Sequence, residues 1–172
     1  MNAKTLFIGA LQFLCLFILM YPACAQDSDV ARLYRAQFID LHANAKQMLA
    51  QADELVRAAP TDASIPNLRQ QITLLRNHVN QLRDKSTQSN QEELKNGELS
   101  NKTFLLVSAG CDEILFVLQA LDGFLDTRDR DFFGLAKRGE DLTSRLEQAI
   151  LAVEQDSSSV QESPPLSRGM GL

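Results

Sequence analysis

The chain of 172 residues contains no tryptophan and only two histidines, two tyrosines and three cysteines. So small a stock of soft ligands excludes the cysteine-rich and Cys/His zinc frameworks that staple small domains. There is no Cys-x-x-Cys-His for covalent haem, no Glu-x-x-His for a di-iron pair and no His-Glu-x-x-His for zinc hydrolysis. A Gly-x-Ser-x-Gly elbow and a glycine-rich phosphate loop are missing too, so no catalytic residue is assigned and the chain is not read as an enzyme. Positive charge is scarce, at 17 Lys+Arg against 22 Asp+Glu, and no basic stripe reverses the balance locally. Such a surface repels phosphate backbones and anionic lipid heads, which excludes nucleic acid as a partner. The five prolines fall at 22, 60, 66, 164 and 165, and they leave long stretches free of helix breakers.

Those stretches carry apolar residues at alternating three- and four-residue steps. The first stripe is Tyr34, Phe38, Leu41, Ala45, Met48, Ala52, Leu55, and the second is Ile65, Leu68, Ile72, Leu75, Val79, Leu82. The third is Phe104, Val107, Cys111, Ile114, Leu118, Leu121, Leu125; the fourth is Phe132, Leu135, Gly139, Leu142, Leu146, Ala149, Val153. A 3.5-residue period is the mark of coiled-coil seams, so four of them predict an all-α, antiparallel four-helix bundle over residues 26–155. Its helices are expected at about 29–58, 64–85, 101–126 and 129–155. Pro60 ends the first, and Asn101 caps the third. The third helix is apolar on most of its circumference, with Leu105, Leu106, Leu115, Phe116, Ala120 and Phe124 beside the stripe, and is read as the most buried member. The polar stretch 86–100, with Asn96-Gly97 inside it, is expected as a mobile loop and the place for a partner to bind. Residues 156–172 hold Ser157-Ser158-Ser159 and Pro164-Pro165 and are expected as a disordered tail.

The first 25 residues read as a bacterial signal peptide. Lys4 precedes the apolar run from Leu6 to Met20, and Ala23-Cys24-Ala25 offers small residues for cleavage after Ala25. The expected location is periplasmic or secreted; membrane contact would need an unprocessed signal or a lipid on Cys24. Removing 25 of 172 residues leaves 147, with 22 acidic side chains against 16 basic ones, a net charge of −6. Cys111 is then the single thiol, and the third stripe makes it a small buried apolar side chain.

Two constellations suggest a cofactor. An exported bundle of this size resembles cytochrome b562 in outline, where a methionine on the first helix and a histidine on the last hold haem. Here Met48 lies on the first stripe, but helix four has no histidine, and His42 and His78 are expected as flanking, partly exposed residues of helices one and two. Asp129, Asp131, Gly134 and Glu140 match positions 1, 3, 6 and 12 of an EF-hand calcium loop, with Phe133 where a third oxygen ligand belongs. Read as the opening of helix four, Asp129 and Asp131 are instead acids favourably placed at the positive end of its dipole. Adjacent acids such as Asp53-Glu54, Asp112-Glu113 and Glu140-Asp141 are expected to point into solvent. The function expected from these features is non-enzymatic: protein–protein interaction in the envelope, as an adaptor, chaperone-like or immunity-type protein. No cofactor is assigned, and a haem- or metal-binding bundle is the alternative.

Overall fold

A computed structural model describes residues 29–57, 64–97 and 101–161, with side chains through residue 153. The expected signal peptide (1–25) and residues 162–172 of the expected tail lie outside the described residues. Four helices run α1 (Asp29–Arg57), α2 (Ser64–Lys95), α3 (Lys102–Thr127) and α4 (Arg130–Gln161), and they pack as an all-α bundle. Cross-helix pairs give the directions. Arg69 meets Asp126, Arg76 meets Asp122 and Arg83 meets Asp112, so α2 and α3 are antiparallel. Lys137 on α4 meets Asp53 on α1, while His42 meets Glu147. Those two helices are antiparallel as well.

Two boundaries differ from the expectation. α2 continues ten residues past Lys85, so most of the expected 86–100 loop is helix. Nothing in Ser86 to Lys95 breaks a helix, and two of its polar side chains pack against α3. The buried Ser86 hydroxyl donates to the Phe104 carbonyl at 2.8 Å, and Thr87 and Ser108 hydroxyls pair at 3.1 Å. The described helix ends in a turn at Asn96 and Gly97, and the Gly97 φ of +80° suits a residue without Cβ. α4 likewise runs to Gln161, so Asp156–Gln161, assigned above to the tail, are helical. The expected cap of α3 is present, with Thr103 N donating to Asn101 Oδ1 at 2.9 Å. Between α3 and α4, Arg128 takes a left-handed φ of 60° and Asp129 caps α4 by accepting from Asp131 N at 2.9 Å.

α3 touches all three other helices, whereas α2 and α4 stand at opposite corners with no substantial contact. This flattened bundle is what an almost wholly apolar helix demands. By length and composition Lys102–Thr127 could cross a bilayer; here it is instead the axis of the bundle. Every residue of its expected stripe is buried, Val107, Ile114, Leu118 and Leu121 completely. Close approach is achieved with glycine: Gly110 lies under the Phe38 ring, and Gly139 lies under Phe116 and Val117.

The α2 stripe is buried from Leu68 to Leu82, as its period predicts. The α1 and α4 stripes are rotated. On α1 the buried line is Ala31, Phe38, Ala45, Ala52, seven residues apart, while Tyr34, Leu41 and Leu55 are only partly buried and Arg35 and His42 go inside. On α4 the completely buried line is Ala136, Thr143, Ile150. Leu135 is left 37% exposed, and Leu142 and Ala149 are half-buried. Each of these helices turns polar side chains inward, Arg35 and His42 on α1 and Thr143 on α4, so its buried arc is not centred on a single apolar line.

Because Leu118 is fully buried, Leu118→Ala should cost about 2 to 5 kcal/mol in denaturant unfolding. A loss below about 0.5 kcal/mol, the scale of surface changes, would contradict the packing of α3.

Candidate functional site

The rotation of α1 takes His42 off the surface: it is 1% exposed, not flanking as its sequence position suggests. Its ring stacks on Phe38, with centroids 6.0 Å apart. Nδ1 is hydrogen-bonded to Glu147 Oε2, and Nε2 stands 3.6 Å from Glu140 Oε1 without a hydrogen bond. Lys46 closes the group, with Nζ 3.7 Å from Glu140 and 4.0 Å from Glu147. Two carboxylates, one ammonium and an imidazole thus clasp α1 to α4. The ring lines neither the cleft between α1 and α2 around Gln37, Asp40 and His78 nor the one around Leu55, Phe124 and Arg130. The arrangement is built to hold helices together.

The cofactor expectations can be placed residue by residue. Met48 is buried on α1, the same helix as His42, so the two cannot grip one iron from opposite sides. His78 is exposed on α2, in a shallow cleft with Asp40 and Lys85. Among the described residues no three His, Cys, Asp or Glu side chains converge on a point that could hold a metal ion. The calcium-loop spacing does not form a loop: Asp129 caps α4, Asp131 is in its first turn, and Glu140 lies ten residues into the helix. At 1.5 Å of rise per residue that separates Glu140 from the cap by roughly 15 Å. Cys111 is fully buried, and burial pushes its thiol up to about 12, with the neighbouring Asp112 adding to the effect. It is apolar filling, as its place on the stripe suggests.

A double-mutant cycle tests the clasp. His42→Ala alone should destabilise the protein by about 2 to 4 kcal/mol, and pairing it with Glu147→Ala should return a coupling of roughly 0.5 to 3 kcal/mol. Additive losses would mean that the imidazole–carboxylate contact carries no energy.

Glu113 corrects the reading of adjacent acids. Successive helix positions differ by about 100°, so of the pair only Asp112 faces water while Glu113 turns inward and is 9% exposed. Desolvation, with Asp112 beside it, raises its carboxyl above the ordinary value of 4.5. The folded chain therefore holds this proton to higher pH than the unfolded chain. Stability should fall as pH rises from about 4.5 through the raised value. Glu113→Gln should flatten that slope and stabilise dilute protein at neutral pH by on the order of 1 kcal/mol, measured by urea unfolding across pH. An unchanged slope would reject the assignment.

Glu113 lies beside an apolar face shared by α3 and α4. Its floor comes from the bare backbone of Gly139 under Phe116 and of Gly123 under Phe132. Phe116 stays 42% exposed, and Leu105 on the same helix 36%. On α4, Leu135, Leu142 and Ala149 follow Phe132, Gly139 and Leu146 by three residues, and so lie beside the contact line on its open side. Ala109, Phe116 and Gly123 face them from α3, also seven residues apart. Asp112, paired with Arg83 of α2 at 3.5 Å, and Gln119 flank Phe116, while Arg138 and Arg145 flank Leu142. Neither arginine makes an ion pair among the described residues. No family profile, characterised protein or solved structure matches the chain significantly.

Proposed function

We propose that this is an exported, non-enzymatic helical bundle that works by docking another envelope or secreted protein. The expected signal over residues 1–25 would deliver it to the periplasm or beyond, where the −6 charge of the remaining chain keeps it soluble. The observation that carries the docking role is the apolar face of α3 and α4, where Phe116 is 42% exposed between Leu105 and Leu135. Aromatic anchors on small-residue floors, rimmed by charge, are where helical partners bind most strongly. The stretch 86–100 is a poorer contact, because Ser86 and Thr87 are engaged with α3.

A photo-crosslinking residue in place of Phe116 should capture a defined envelope protein in living cells. The same residue in place of Leu74, exposed on α2, should not. Phe116→Ser should cut capture at a neighbouring crosslinking position about tenfold while leaving helicity unchanged. Equal capture from both faces would overturn this role, and a haem absorption band in purified protein would favour the cofactor alternative.

A further inference from the structure

We infer that Asn96 is a site of spontaneous covalent modification, where the side-chain amide cyclises onto the Gly97 nitrogen and water converts the ring to aspartate and isoaspartate. Such a reaction asks three things of an asparagine: a side chain not held by other groups, a following nitrogen with no side chain crowding it, and a backbone that can leave its fold locally. Asn96 alone of the eight asparagines is followed by glycine.

The fold adds two distinctions that the dipeptide itself does not contain. Asn44, Asn67, Asn77, Asn80 and Asn90 lie inside α1 or α2, where the N–H of the next residue is held in the helical ladder. Asn101 lies outside a helix, but its side chain is buried and fixed by the cap bond from Thr103 N. Asn96 is past the last residue of α2 and exposed, and its side chain makes no hydrogen bond among the described residues. The Gly97 N–H donates to the Leu94 carbonyl at 3.2 Å, a single turn bond at a helix end that opens without disturbing the core. A Cβ built on Gly97 would meet nothing within 4 Å, so open space surrounds the attacking nitrogen.

The chemistry balances with water as the sole co-reactant. The Gly97 nitrogen attacks Asn96 Cγ and forms the new C–N bond of a cyclic imide. The Cγ–Nδ2 bond breaks, and ammonia leaves with the proton given up by the Gly97 nitrogen. Water then opens the ring at either carbonyl. Hydrolysis at Cγ returns aspartate, and hydrolysis at the Asn96 backbone carbonyl leaves isoaspartate, with the chain running through the former side chain and one carbon longer. Both products put a carboxylate at the C-terminal end of α2, where it opposes the negative end of the helix dipole. The Asn96 N–H is shared between the Glu92 and Glu93 carbonyls at 3.1 Å, so the lengthened backbone also disturbs the final turn. That turn loosens on conversion, while the packing of the bundle is untouched.

Peptide mass spectrometry of the full chain, incubated folded at physiological temperature in neutral buffer, tests this. The peptide containing Asn96 should lose an amide for a carboxylate and separate into two isomers, one of them matching the same peptide from an Asn96→Asp variant. Gly97→Ala should slow the conversion about tenfold, because its methyl crowds the nitrogen. Since alanine is strained at a φ of +80°, Asn96→Gln is the second variant: its longer side chain must close a larger ring, and conversion should disappear with helicity unchanged. In hydrogen exchange the amides of Asn96 and Gly97 should lose protection in converted protein, while that of Leu118 should not. An Asn96 that stays intact, conversion spread evenly over the asparagines of α1 and α2, or a rate indifferent to Gly97→Ala overturns the site. Converted protein that keeps Asn96 and Gly97 protected overturns the loosening of the turn.

Discussion

The structure depends on covering α3. A helix with apolar side chains over most of its circumference cannot be satisfied by one seam, since each exposed large apolar side chain forgoes about 1.5 to 3 kcal/mol of burial. Three helices are drawn onto it, and the bundle flattens until α1 and α3 touch across the short diagonal while α2 and α4 do not. Glycine at 110 and 139 lets backbones come close enough to close the packing. With no disulfide among the described residues, this burial is the main source of cohesion.

The surrounding polar contacts act on register more than on stability. Arg69, Arg76 and Arg83 repeat every seven residues along α2 and meet Asp126, Asp122 and Asp112 on α3. Exposed pairs of this kind contribute little each, at most about 1 kcal/mol. Because the arginines themselves repeat every seven residues, a slip of one heptad would re-pair two of them, so the three pairs oppose slips of three or four residues more than slips of seven. The His42 clasp does the same for α1 and α4, at greater depth and with higher cost if one partner is lost.

The sequence makes the helix count and the second and third stripes legible, because α3 is apolar on nearly every side and α2 has a single apolar face. The first and fourth stripes fail for the opposite reason. On α1 and α4 the buried arc takes in Arg35, His42 and Thr143 and leaves Leu135 partly exposed, so it falls between lines of apolar residues, and a one-line pattern mistakes a flank for the centre. This misplacement hides His42, which looks like a flanking residue until α1 is rotated toward α4. The helix through Ser86 to Lys95 is missed because polarity signals solvent, not irregular backbone. Only Gly97 is a true stop signal, while Ser86 goes unnoticed because a single buried hydroxyl bonded to a carbonyl leaves no periodic trace. Glu113 could have been found from the sequence alone: two adjacent helix positions cannot both point away from a core that surrounds most of the helix.

The error on α4 carries physical information. Leu135, Leu142 and Ala149 form a cleaner heptad line than Ala136, Thr143 and Ile150, the line the monomer buries. If packing within one chain were the sole demand, exchanging the leucines for polar residues would cost little, and leaving them half-exposed beside Phe116 invites aggregation. A chain that keeps threonine at the centre of its α4 contact and leucine at the edge leaves part of its apolar surface outside the bundle interior. Thr143 survives in the interior because its hydroxyl donates to the Gly139 carbonyl at 2.9 Å, within its own helix, so the inner interface meets no unpaired group. The outer line has no such internal solution, and Arg138 and Arg145 beside it make no ion pair among the described residues.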